Sequence, residues 1–170
     1  MDNTTEAGLA GKMEALARKI PGFGGYLDRE RRRDADKLQR DYMAKSLEQL
    51  KRKVQDSQEA LLEAGQMKLM TKVDDVTNII DRVAGRMRSA AHGYSGFFDA
   101  NQVNEDELNR IYEFDLSLVS ELQHADEALQ GLASSLEGEA VRARIADLEK
   151  AVRAIDSKLD ERERLLKGVR

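Results

Sequence analysis

Of the two histidines in this chain, only His124 has a carboxylate three residues before it, in Glu121-Leu-Gln-His124. That spacing puts both side chains on one face of a helix. Ferritin-like bundles hold two metal ions with Glu-x-x-His motifs from two helices plus inward glutamates from two more. Here there is a single motif, His92 has no glutamate at the matching position, and Glu121 and His124 fall beside the Leu118–Leu122–Ala125 seam. They read as an ordinary surface pair. The chain has no cysteine, which excludes thiolate metal sites and disulfides. Gly22-Phe23-Gly24-Gly25 lacks the preceding strand and following Lys-Ser/Thr of a phosphate cradle. The expectation is a non-enzymatic protein with no metal, no cofactor and no small-molecule substrate.

The remaining candidates concern contact. Five of the eight aromatics lie in two glycine-rich loops: Phe23 and Tyr26 in one, Tyr94, Phe97 and Phe98 in the other. Arg29, Arg32 and Arg33 follow the first loop in the run Arg29-Glu30-Arg31-Arg32-Arg33-Asp34. These eight residues are the candidate interaction surface, with the arginine face suited to an acidic partner. The competing reading makes the aromatics an end-cap core and the charge run a solvated helix face, laced by Asp28–Arg32 and Asp36–Arg40 pairs.

Helices must position these groups. Charged residues make up 35 % of the chain and aromatics 5 %, with one proline, a composition suited to long amphipathic helices. The net charge of −4 argues against a nucleic-acid binder acting through bulk charge. Leu9, Met13, Leu16 and Ile20 form a short stripe that Pro21 terminates. Asp28 is an N-cap for the next helix. Its seam reads Met43, Leu47, Leu50, Val54, Ser57, Leu61, and a second reads Leu69, Val73, Val76, Ile80, Val83, Met87, Ala90. The two are out of phase across Gly65, a ready helix C′ residue. Asn104 and Glu107 form a capping box, with Val103 and Leu108 as its hydrophobic staple. Beyond it run Leu108, Ile111, Leu118, Leu122, Ala125, Leu129, Leu132 and Leu136, with Asp115 at the one polar seam position. After Ser134, Ser135 and Gly138 comes a last seam of Val141, Ile145, Leu148, Val152, Ile155, Leu159 and Leu166, interrupted by Arg162 near a fraying end.

The fold expected is all-α: an antiparallel bundle with coiled-coil-like packing, four long helices at about 28–64, 67–92, 105–137 and 139–167, and a short amphipathic helix and linker in residues 1–26. The alternative is a long two-helix hairpin. Charge favours setting Arg88 near Glu107 and Arg82 near Glu113, yet the same register would oppose Arg31 to Arg164 and Lys45 to Lys150. A hairpin would also hold the aromatic loops roughly 95 Å apart at about 1.5 Å per residue, whereas turns at Gly65 and Gly138 return them to one end. The compact bundle is the expected form.

No apolar run approaches a membrane span, and no signal-peptide pattern stands at the amino terminus, so the expected location is cytoplasmic. Lys12, Arg18 and Lys19 on the polar side of residues 5–20 leave a membrane surface as the other contact to weigh. Ile20-Pro21-Gly22-Phe23-Gly24-Gly25-Tyr26 with Arg32-Arg33-Asp34-Ala35-Asp36, and Gly93-Tyr94-Ser95-Gly96-Phe97-Phe98-Asp99, resembles small bacterial helical-bundle proteins of unassigned function. In layout alone, a short amphipathic helix before long ones is similar to the phage-shock/ESCRT-III type. The first resemblance implies a helical bundle and carries no catalytic residues across. The expected function is that of a non-enzymatic bundle acting through protein contacts, as a scaffold or an oligomer subunit, and the second resemblance implies the alternative, a membrane-surface role.

Overall fold

The computed structural model describes residues 3–90, 97–98, 103–133 and 138–168, with only the backbone described for 3–7 and 133. Five α-helices lie within them: α1 Asn3–Ala17, α2 Arg32–Glu63, α3 Met70–Ser89, α4 Glu105–Ala133 and α5 Gly138–Leu166. Single 3-10 turns, Arg29–Arg31 and Met67–Leu69, lead into α2 and α3.

Local chemistry sets the helix ends. Asp28 caps the 3-10 turn by accepting from the Glu30 amide at 3.1 Å, so α2 itself starts at Arg32. At the far end of α2, the Gly65 amide donates to Leu62 O and the Gln66 amide to Leu61 O, with Gly65 at φ +74°. That paired bonding is a Schellman stop, which needs a residue tolerant of the left-handed region. The capping box launches α4 as its spacing requires: Asn104 Oδ1 accepts from the Glu107 amide at 2.9 Å, and Glu107 Oε2 accepts from the Asn104 amide at 3.2 Å.

The helices pack as two antiparallel hairpins, α2 with α3 and α4 with α5. Lys51–Asp81 and Gln58–Asp74 pair across the first. Between hairpins, α3 lies parallel to α5 and α2 parallel to α4. Arg82 and Arg86 reach Asp156, Arg86 also reaches Asp160, and Lys53 meets Asp126. The four long helices therefore form a compact bundle rather than the two-helix hairpin, because the chain reverses at Gly65 and again between α4 and α5. The expected Arg88–Glu107 and Arg82–Glu113 pairs do not form. α3 neighbours α2 and α5, while α4 neighbours α5 and α2, so α3 and α4 stand diagonally across the bundle and Arg88 pairs with Glu48 instead.

One continuous core runs between the helices, built from the expected seams. α1 stops at Ala17, a turn short of Ile20, and packs on α4 with Leu9, Leu16 and Ile20 buried. No helix among the described residues is long and apolar enough to cross a membrane.

Candidate functional site

Phe97 and Phe98, which are helical, meet the aromatics of the first glycine-rich segment at the end of the bundle where α2 and α4 begin. Tyr26 stacks on Phe98 with ring centroids 5.8 Å apart, Phe23 and Tyr112 stand edge-on or tilted to it, and Phe97 meets Phe98 edge-on. Gly25 permits this approach: its φ is +81°, and a Cβ there would lie 2.6 Å from Met13 Sδ and 2.7 Å from the Tyr112 hydroxyl. Phe23, Tyr26 and Phe98 are buried, and so is Arg32. These four members of the expected interaction surface belong to the interior, because the loops bury one another at this end. Phe97 is half-buried, Arg29 and Arg33 are exposed, and Tyr94 lies outside the described residues.

Beneath the rings lies a charged cluster drawn from separate segments. Arg162 on α5 donates from Nε to Asp115 Oδ1 on α4 at 2.7 Å and from Nη2 to Asp36 Oδ1 on α2 at 2.9 Å. Arg162 and Asp115 are both 0 % exposed. The Tyr26 hydroxyl donates to Asp115 Oδ2 at 2.6 Å. Arg40 Nε completes the Asp36 carboxylate at 2.8 Å, while its Nη1 donates to Met87 O at the end of α3. Arg32 Nε donates to Tyr26 O, and the Tyr26 amide donates to the Tyr112 hydroxyl at 2.6 Å. Tyr26 is thus held through its amide, carbonyl and hydroxyl at once. Gln39, one turn along α2 from Asp36, is buried with neither amide atom hydrogen-bonded among the described residues.

Burial pushes the Asp115 carboxyl above its usual range, and the Arg162 charge opposes this without cancelling it. Burial likewise works against the Arg162 charge, but Asp115 and Asp36 outweigh it and carry the guanidinium well above its ordinary value. Burial, then the Asp115 charge, lift the Tyr26 phenol well above its own. These groups sit at opposite ends of short bonds with solvent excluded, so the arrangement orders helices relative to one another.

The spacing of the sequence marked half of this cluster. Asp115 and Arg162 each broke an apolar seam. Asp36–Arg40 is a buried pair, not the solvated i,i+4 pair expected, because its turn of α2 faces the bundle. The expected Asp28–Arg32 pair is replaced by Asp28–Arg31 at 3.4 Å, since Arg32 turns inward to Tyr26. Glu121 and His124 stand 3.5 Å apart with His124 exposed, and no group of three metal-ligating side chains occurs among the described residues.

On the outside, α2 and α4 leave a shallow groove of about 430 Å³. Leu50 and Leu122 floor it, and Gln49, Lys53, Gln123, Asp126 and Gln130 wall it with amides and both signs of charge. Comparison with protein-family models, with curated proteins and with solved structures gives no match to this chain.

Proposed function

We propose that this chain is a non-enzymatic helical-bundle module that acts through protein–protein contacts, as a scaffold or as a subunit of an oligomer. One observation carries the reading: the residues best suited to chemistry, Asp36, Asp115, Arg162 and Tyr26, are committed to one another inside the bundle end. The outer surface holds the α2–α4 groove, where amides and charges of both signs stand over the nearly covered Leu50 and Leu122 and offer polar contacts to a partner. The membrane-surface alternative draws less support, since the stripe it needs, Leu9, Leu16 and Ile20, faces the core.

Photo-crosslinking residues placed at Gln49, Gln123 and Gln130, and at the exposed Lys72 and Arg142 elsewhere, test the reading in cells that make the protein. Crosslinks to another chain concentrated at the groove positions are expected. Equal yields at all five positions, or none, would contradict it.

A further inference from the structure

The two hairpins carry opposite charge. Residues 29–90, which hold α2 and α3, have 15 Lys+Arg against 11 Asp+Glu. Residues 105–168, which hold α4 and α5, have 9 Lys+Arg against 16 Asp+Glu. Contacts between the hairpins follow that division. On the α3–α5 side, Arg86 meets Asp156 at 2.7 Å, Asp160 at 2.6 Å and Glu163 at 3.2 Å, and Arg82 shares Asp156. On the α2–α4 side, Lys53 meets Asp126. In each of these pairs the cation stands on the first hairpin and the anion on the second. The buried Asp36–Arg162 pair reverses the order, at the bundle end where the aromatics lie.

This polarity steers one hairpin to the other, since like hairpins laid together would set Lys53, Arg82 and Arg86 against cations. It also makes the seam sensitive to ions. Lys53 and Arg82 are exposed and Arg86 is half-buried, so salt screens their pairs, whereas buried pairs are screened much less. Along α2, Lys53 stands roughly 25 Å from Asp36 at about 1.5 Å per residue. Salt therefore weakens the middle of the seam and spares the bundle end, where Arg162 and Asp115 have no exposed surface. Lys53 and Asp126 both line the α2–α4 groove, with Leu50 and Leu122 beneath them 2 % and 8 % exposed.

We propose that the inter-hairpin ion pairs form a salt-sensitive latch, with Lys53–Asp126 as its bar across the groove. When ions screen it, α2 and α4 part at that level more often, and Leu50 and Leu122 become accessible to a partner. Apolar contact at the groove is then regulated by ionic strength. This regulation rests on the groove being the surface of contact, whereas the latch itself does not.

Amide hydrogen exchange on the unaltered chain reads the latch, in sodium chloride at about 0.01 M and about 1 M, where the Debye length falls from about 30 Å to about 3 Å. Residues 47–54 and 119–129 should exchange about five- to thirty-fold faster at the higher salt, the effect of weakening several exposed pairs together. Residues 36–43 and 108–115 should hold their rates. Lys53→Gln should raise exchange of the first two segments already at low salt. Lys53→Asp with Asp126→Lys, which restores the pair with its ends exchanged, should slow it again. Equal rates at the two salts, or a uniform rise along every helix, would overturn the latch. Crosslinking from Gln49 and Gln123 should increase in Lys53→Gln. Crosslinks that persist at the unaltered yield would overturn the regulation and leave the groove as the contact surface. If no groove crosslinks form in either chain, the contact reading fails and the exchange rates alone decide the latch.

Discussion

Arg162 and Asp115 meet at 2.7 Å on antiparallel α5 and α4, both without exposed surface, and each is the polar break in an otherwise apolar seam. A break in either helix alone would bury an unpaired charge. Together, and with Asp36 taking the second guanidinium nitrogen, they specify how α4 and α5 align with α2. Buried ion pairs add little net stability, yet removing one partner strands the other. Arg162→Met should therefore cost about 3–5 kcal/mol in urea unfolding. Arg162→Met with Asp115→Leu should recover much of that loss, since no charge on α4 is then left alone. Additive losses in the double variant would show that the pair is not the unit.

Gln39 gives the opposite expectation. Both of its amide atoms are buried without hydrogen-bond partners among the described residues. An unsatisfied buried polar group costs about 1–3 kcal/mol, and methionine has similar length and volume. Gln39→Met should raise the urea midpoint at an unchanged slope. A fall in the midpoint would mean that the amide is satisfied in solution.

The pH dependence follows from Asp115. Its folded carboxyl binds a proton more tightly than the unfolded one, because burial outweighs Arg162. Its contribution to stability is then full below the ordinary aspartate value and declines as pH rises through the raised folded value. Stability of the wild type relative to Asp115→Asn should fall as pH rises through that window and then level off. A relative stability that climbs with pH there would show that Arg162 dominates and the carboxyl is depressed.

Two glycines separate backbone from packing. Neither Gly65 nor Gly8 has an atom near the position of an added Cβ, but Gly65 sits at φ +74° and Gly8 within α1. Gly65→Ala should destabilise by about 1–2 kcal/mol through the left-handed backbone alone. Gly8→Ala should stabilise the docked α1 by about 0.5–1 kcal/mol. Thermal unfolding read beside hydrogen exchange of residues 3–20 checks both.

Much of this architecture is legible in local pattern. The phase slip across Gly65 marks a helix stop, the Asn104–Glu107 box marks a start, and the shared need of Phe23, Tyr26, Phe97 and Phe98 for burial implies that both loops lie at one end. What local pattern lacks is the third dimension of register. Arg82 finds Asp156, not Glu113, because α3 packs beside α5 and stands diagonally from α4. Arg162 reads as an end-of-helix interruption until α5 is laid against α4, and Asp36 reads as surface until α2 is rotated so that Gln39 and Met43 face inward. A charge near the end of a seam looks the same in sequence whether it frays into water or meets a buried carboxylate.

Asp36, Asp115, Arg162 and Tyr26 are committed to one another inside the bundle end. The Arg162 Nε–H tests this most directly, by nuclear magnetic resonance with exchange into deuterated water. A bond to Asp115 closed off from solvent predicts a sharp, shifted Nε–H resonance that exchanges far more slowly than those of the exposed arginines and shows a nuclear Overhauser effect to the Tyr26 ring. An Nε–H that exchanges as fast as an exposed arginine's, with no contact to Tyr26, would contradict it.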